Sequence, residues 1–271
     1  MDKYAVFGNP IQHSKSPQIH SMFAQQTEQA LEYTAIQAEL NDFSGAIAKF
    51  IAQGGKGCNV TVPFKEQAFK IADQVSERAQ LAQAVNTFVF NDDGTIIADN
   101  TDGAGLVEDL KANKAPLTGT VLLIGAGGAA RGVIKPLLDS GVSSLVICNR
   151  THEKAIELAN HFAPYGKVEA LAIEQLDNMV FDLVINSTSA SLTDELPPVP
   201  ASIFSTKTFA YDMVYKNQLT SFCQWALKNN CLKAVDGLGM LVGQAAVAFE
   251  LWRGVMPETI NVLAQLRNGS E

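Results

Sequence analysis

Apolar residues along this chain come in short runs separated by polar or glycine-containing breaks, and the runs follow two different periods. Lys3 to Gly8 reads as a buried strand, Ser16 to Gln29 as a helix, Glu32 to Ala38 as a strand and Asp42 to Gln53 as a second helix. Gly54-Gly55 punctuates before a strand over Lys56 to Thr61, and Pro63 introduces another helical stretch. Ala84 to Phe90 and Thr95 to Ala98 flank Asn91-Asp92-Asp93-Gly94, a strong hairpin turn signal. The pattern therefore predicts an α/β first half with at least one antiparallel pair. From Val121 the alternation becomes regular. Strand-like runs at Val121, Leu145, Leu183, Phe209 and Ala234 are separated by helical patterns such as His152 to His161, which predicts a doubly wound parallel sheet. The last segment, Leu238 to Leu266, is helical and apolar with Pro257 as a break, and is expected to pack back on the first half. No internal repeat or low-complexity tract interrupts this order.

The most informative stretch is Thr120 to Gly132. An apolar run, Val121 to Ile124, breaks at Gly125 into Gly-x-Gly-x-x-Ala (Gly125, Gly127, Ala130), and a helical segment follows. A dinucleotide fingerprint requires this strand-turn-helix setting. The first glycine permits the tight turn, the second lets backbone approach a pyrophosphate, and Ala130 keeps helix and strand close. The helix N-terminus offers free N–H groups and a partial positive charge to phosphates. A glycine pattern of this kind also marks tight turns that bind nothing. The next strand sharpens the reading, because Leu145 to Cys148 ends in Asn149-Arg150-Thr151. An NAD site needs Asp or Glu there for the free ribose 2′-hydroxyl, whereas this chain carries an arginine. Taken alone Arg150 reads as a solvated surface charge. In this context a guanidinium gripping a 2′-phosphate is the better account, and NADP(H) is the expected cofactor.

Composition narrows the class. The chain has 271 residues, which suits two compact domains or one large one, and 47% hydrophobic content supports a substantial core. A formal net charge of −8 and a pI near 5.0, with no basic run, argue against nucleic-acid binding. Cys58, Cys148, Cys223 and Cys231 lack the spacing of a zinc site and read as reduced, mostly buried thiols. Met1-Asp2-Lys3 leads directly into a strand without a leader pattern, and no stretch approaches the roughly 20 apolar residues of a membrane span. The expectation is a cytoplasmic, soluble protein with no membrane partner.

Further segments place polar groups where packing does not call for them. Ser14-Lys15-Ser16-Pro17 lies between the first strand and helix, so Ser16 and Pro17 suit N-cap and N1, an explanation that leaves Ser14 unaccounted for. Asn59, Thr61 and Lys65 leave the C-terminal end of a strand, where ligands of α/β sheets collect, although a single lysine is usually a surface group. Ala84-Val85-Asn86-Thr87 embeds a polar pair in an apolar strand, and a buried Asn must find partners. Asp102 follows another strand and could simply cap the helix beginning at Gly103. Gln244 is a polar residue in an apolar helix.

Together these segments resemble one family. Ser14-Lys15-Ser16-Pro17, Asn59 to Lys65, Ala84 to Thr87, Asn100 to Gly103, Gly125 to Ala130 with Asn149-Arg150-Thr151, Tyr211 to Tyr215 and Asp236 to Ala245 stand in the order and spacing of shikimate dehydrogenases. The resemblance runs from Gly8 to about Glu250. It implies an N-terminal α/β substrate domain with a mixed sheet over 1–101, completed by helices over 238–271, and a Rossmann-type NADP domain over 102–237. The family's substrate positions fall on Ser14, Ser16, Thr61, Lys65, Asn86, Asp102, Tyr215 and Gln244, with Asn59 close by. Its cofactor positions fall on Gly125, Ala126, Gly127, Gly128, Ala129, Ala130, Asn149, Arg150, Thr151, Lys154, Thr188, Met213 and Gly237, with Glu77 matching less closely. In one departure, many members carry a proline where this chain has Asn217.

The implied activity is that of an oxidoreductase acting on a CH–OH group, the reversible NADPH-dependent reduction of 3-dehydroshikimate to shikimate on the route to chorismate and the aromatic amino acids. No metal signature is present, so protein groups are expected to stabilise the developing alkoxide. Lys65 would carry the proton, and Asp102 would hold a ring hydroxyl and pair with Lys65. Ser14, Ser16 and Tyr215 suit the carboxylate, and Asn86, Thr61 and Gln244 the hydroxyls. A quinate/shikimate dehydrogenase using NAD stays open, but calls for an acid where Arg150 stands. A methylene-tetrahydrofolate dehydrogenase shares the plan and a lysine, but not the paired serines. A non-catalytic NADP-binding sensor would need a degraded Lys65 or Asp102. Both a monomer and a homodimer are compatible with the sequence.

Overall fold

The computed structural model describes residues 1–268, which group into two units: 1–105 with 242–268, and Leu106–Leu241. In chain order the first unit contains β1 (Asp2–Gly8), α1 (Ser16–Gln26), β2 (Leu31–Gln37), α2 (Phe43–Ala52), β3 (Gly55–Val60), α3 (Lys65–Ile71), β4 (Gln74–Val75), α4 (Glu77–Ala82), β5 (Thr87–Phe90), β6 (Ile96–Asp99) and the start of α5 (Asp102–Ala112). Its sheet runs β2-β1-β3-β5-β6-β4, with parallel pairs at β2/β1, β1/β3 and β6/β4 and antiparallel pairs at β3/β5 and β5/β6. Strand β1 is apolar on both faces because both are covered. Ala5 and Phe7 join Phe43, Phe50 and Phe64 in one cluster, whereas Tyr4 and Val6 join Ile11 and Tyr33 in another. The β5/β6 hairpin closes at Gly94, whose φ of +88° lies in the left-handed region that favours glycine.

The second unit follows with β7 (Thr120–Ile124), α6 (Gly128–Asp139), β8 (Ser144–Cys148), α7 (His152–Phe162), β9 (Val168–Ala170), β10 (Leu183–Asn186), β11 (Phe209–Asp212), α8 (Ser221–Lys228) and β12 (Lys233–Asp236). The sheet is parallel throughout, in the order β12-β11-β10-β7-β8-β9. This is the doubly wound dinucleotide-binding order, and strand progression reverses between β7 and β10, where ligands of such sheets bind. Helices α9 (Leu238–Arg253) and α10 (Ile260–Asn268) follow. In the first unit Trp252 of α9 stacks on Tyr4 with centroids 4.6 Å apart and donates its indole N–H to the Phe88 carbonyl at 2.9 Å.

Several local expectations need correction. The strand expected from Ala84 begins at Thr87, because Val85 donates its N–H to the Lys65 carbonyl and Asn100 reaches the Ala84 carbonyl, which holds 84–86 as a connection. Helix α1 stops at Gln26 rather than Gln29, where Glu28 takes a left-handed φ of +55°. β4, α4 and β9 escape the periodicity argument because they have two, six and three residues. The unit boundaries lie at 105/106 and 241/242, inside α5 and α9, where the sequence reading puts them at 101/102 and 237/238. Asp102 therefore belongs to the first unit. Among the described residues all four cysteines are free and buried, and no helix is long and apolar enough to cross a membrane.

Candidate active site

In the first unit, Lys65 and Asp102 meet. Lys65 is the first residue of α3 and Asp102 the first of α5, so each helix start delivers one member of an ion pair between Lys65 Nζ and Asp102 Oδ2. Both side chains are largely buried, at 16% and 6% exposure. A buried pair of this kind is a poor source of stability, since desolvation offsets most of the attraction. Asp102 does not merely cap its helix. Its second oxygen accepts from Asn86 Nδ2 at 2.8 Å.

Asn86 organises the rest. Its Nδ2 also reaches Thr101 Oγ1 at 2.9 Å and Gln244 Oε1 at 3.2 Å, and its Oδ1 accepts from the Thr101 N–H and the Thr87 hydroxyl, both at 2.9 Å. Strand β3 adds Asn59, whose Nδ2 donates to the Asn86 carbonyl and to Thr87 Oγ1. Buried polar groups of this density are costly unless each is satisfied, and here they satisfy one another. Below them, Arg78 makes a two-point contact with Asp99, which also accepts from Ser76. Thr87 and Thr101 belong to the polar motifs already singled out, a signal that could have found them. Tyr33, Ser76 and Arg78 carry no such signal.

The two serines exchange the roles expected of them. The N-cap of α1 is Lys15, so Ser16 is the first helical residue and caps nothing, while Ser14 Oγ accepts the Ser16 N–H at 3.3 Å. Local helix chemistry thus accounts for Ser14 better than for the buried Ser16. Thr61, half-buried just after β3, has no side-chain partner among the described residues. Glu77 is exposed at the start of α4, also in the first unit. Tyr215 lies in the second unit, half-buried in the segment after β11.

The second unit places the remaining cofactor candidates at the C-terminal ends of its strands. Gly125 ends β7 with φ +114°, and a Cβ there would lie 2.5 Å from Ser187 Oγ, so both conformation and space require glycine. Gly127 is the N-cap of α6, and no atom lies within 4 Å of where its Cβ would be. Gly128 to Ala130 form the first turn of the same helix. After β8, Asn149 folds its amide onto the Thr151 carbonyl at 2.8 Å, and Thr151 is the N-cap of α7. Arg150 and Lys154 are exposed there, and among the described residues neither forms an ion pair. Beyond β10, Thr188 donates its N–H and hydroxyl to Asn186. Asn186 and Ser191 in turn donate to Asp212, which ties this turn to β11, and burial raises the Asp212 pKa. Met213 follows Asp212, and its backbone approaches Gly237 so closely that a side chain at 237 would collide with it.

Comparison with known proteins agrees with this division. Residues 6–88 match the shikimate dehydrogenase substrate binding domain, 109–193 the shikimate / quinate 5-dehydrogenase family, and 237–267 the shikimate 5′-dehydrogenase C-terminal domain. The chain is 56% identical to shikimate dehydrogenase (NADP(+)) of Vibrio cholerae serotype O1, a match that covers 100% of this chain and 98% of that protein. Among solved structures, an Ael1 enzyme from Pseudomonas putida superposes with a TM-score of 0.91 at 48% identity, covering 98% of both chains. Shikimate 5-dehydrogenase of Thermus thermophilus, solved with NADP(H) and shikimate, gives 0.89 at 33% identity, covering 100% of both. With this identity sustained from end to end, the chain belongs to the shikimate dehydrogenase family.

Proposed function

We propose that this protein is an NADP-dependent shikimate dehydrogenase, which interconverts 3-dehydroshikimate and shikimate in the cytoplasm and so serves aromatic amino-acid biosynthesis. The observation that carries this reading is the buried Lys65–Asp102 pair fastened to Asn86, beside Thr101 and Gln244. It joins one proton carrier to several neutral groups suited to a polyhydroxylated ring. The residues of the second unit also fit the cofactor. Open space at Gly127 at the start of α6 suits a pyrophosphate, and the exposed cations Arg150 and Lys154, with no acid at the end of β8, suit a 2′-phosphate.

When bound, NADPH supplies the hydride. The ketone oxygen then gains negative charge, and Lys65, as an ammonium, gives it a proton and is reprotonated from solvent. Asp102 fixes the direction of that ammonium through their contact and accepts a ring hydroxyl. Asn86 and Gln244 orient further hydroxyls, and Thr61 offers its own hydroxyl. Ser14 and Ser16 take the carboxylate. Where these groups exchange their mutual contacts for the ring hydroxyls, an analogue lacking a hydroxyl would leave a buried partner unmatched.

The direct test follows reduced-nicotinamide absorbance when purified protein is given shikimate or quinate with NADP or NAD. Shikimate with NADP is expected to be the preferred pair. Equal rates with NAD and quinate would make this a broader quinate/shikimate enzyme, and no shikimate-dependent reduction would sink the reading. Arg150→Ala separates the cofactors further. Loss of a charge-assisted contact to the 2′-phosphate costs about 1.5–3 kcal/mol, so NADP binding should weaken about ten- to a hundredfold. NAD binding should change about twofold or less. Equal weakening of both would show that Arg150 does not read the phosphate.

A further inference from the structure

Asn59 resembles a substrate contact in sequence, yet its amide is spoken for. It is 5% exposed, and both its amide hydrogens go to protein acceptors, the Asn86 carbonyl at 3.2 Å and Thr87 Oγ1 at 3.1 Å. Its oxygen accepts the Tyr33 hydroxyl at 2.7 Å. The Asn86 carbonyl can only accept, so the nitrogen must face it and the oxygen must face a donor. Tyr33 is that donor.

From this we infer that Tyr33 is a positioning residue for the dehydrogenase reaction, acting through Asn59 on Asn86 and so on the Lys65–Asp102 pair. The inference rests on the shikimate dehydrogenase reading above. The path is continuous. The Asn86 carbonyl is held by Asn59 and by the Val60 N–H at 2.8 Å, and the Asn86 N–H is held by the Asp99 carbonyl at 3.1 Å. From that fixed peptide the Asn86 side chain reaches Asp102. Tyr33 is itself held flat against His20, with centroids 4.2 Å apart and planes 10° from parallel, and meets Trp252 at a tilt of 43°. Burial keeps the phenol pKa well above its ordinary value, so the hydroxyl stays a donor.

The test is Tyr33→Phe, which keeps the stacked ring and removes one oxygen. With its acceptor unmatched, Asn59 no longer holds the Asn86 peptide, and the KM for shikimate should rise about five- to a hundredfold, with a smaller fall in kcat. The KM for NADP should stay within about twofold, since the dinucleotide fingerprint lies in the other unit. Added to Asn59→Ala, Tyr33→Phe should have little further effect on kcat/KM, because it acts through Asn59. A lower melting temperature with an unchanged KM for shikimate would make Tyr33 a packing residue and overturn the inference, as would additive losses in the double variant. Wild-type protein in the same assay separates the two claims. If it does not oxidise shikimate, the functional reading fails and takes the inference with it; if it does, the Tyr33 result stands by itself.

Discussion

Lys65→Ala is expected to lower kcat for shikimate oxidation by about two to four orders of magnitude, the usual contribution of a positioned general acid or base. Shikimate affinity, measured by calorimetry, should fall much less. The asymmetry follows from geometry. Lys65 Nζ is joined to Asp102 Oδ2, but the remaining fabric of Asn86, Thr101 and Gln244 does not pass through the lysine. Removing the lysine strips out the proposed proton carrier and leaves that fabric standing. Asp102→Ala is the more disruptive change, because it releases both Lys65 and Asn86. It should therefore lose affinity and turnover together. Since the two side chains act as one unit, the double variant should be little worse than the poorer single. Strictly additive losses would mean that they work independently. Near-wild-type turnover in Lys65→Ala would leave the lysine as an ordinary charged residue.

The fold was largely legible because its strands are buried in different ways. β1 is covered on both faces, so Tyr-Ala-Val-Phe reads as a continuous apolar run, and the same holds for β7, β8 and β10. The glycines at 125 and 127 were legible because they mark a turn and an open helix start. The candidate site was legible as motifs more than as contacts. The pairing of Asp102 with Lys65, 37 residues away, was expected only through the family resemblance, and nothing local indicates that Gln244, 158 residues away, approaches Asn86. Helix-cap reasoning misassigned Ser14 and Ser16 because it presumed that the helix starts one residue later than it does. Tyr33 was illegible for a stricter reason. It lies on β2 opposite Tyr4, while Asn59 lies on β3 opposite Val6, so the phenol reaches its partner across β1, and outer strands so placed are about 10 Å apart. A pairing set by sheet order leaves no trace in either strand's own periodicity.

The same cluster should make the protein sensitive to mild acid, through His20. This histidine of α1 is 0% exposed, lies among Phe23, Tyr33, Phe249 and Trp252, and among the described residues has no hydrogen-bond partner for either ring nitrogen. Burial pushes its pKa down from 6.5 to about 3. The unfolded chain therefore takes up a proton below pH 6.5 that the folded chain refuses. The stability contributed by a neutral His20 is fully present above that pH and is lost as pH falls toward 3. At about 1.4 kcal/mol per pH unit, the loss between pH 6.5 and 4.5 is about 3 kcal/mol, a sizeable share of a typical folding free energy of about 5–15 kcal/mol. Asp99 acts in a different window. Burial opposes its charge, but hydrogen bonds from Arg78 and Ser76 outweigh that and lower its pKa below 3.8, so its contribution is lost only at more acid pH. His20→Phe isolates the histidine, since it keeps an aromatic ring in the stack and removes two unmatched nitrogens. Urea unfolding at pH 7 should find the variant within about 1 kcal/mol of wild type or more stable, as removal of unsatisfied buried polar atoms offsets any misfit. At pH 4.5 the wild type should have lost about 2–3 kcal/mol more than the variant. Equal losses in both proteins would show that some other group governs the response to mild acid and that His20 is not held neutral by its burial.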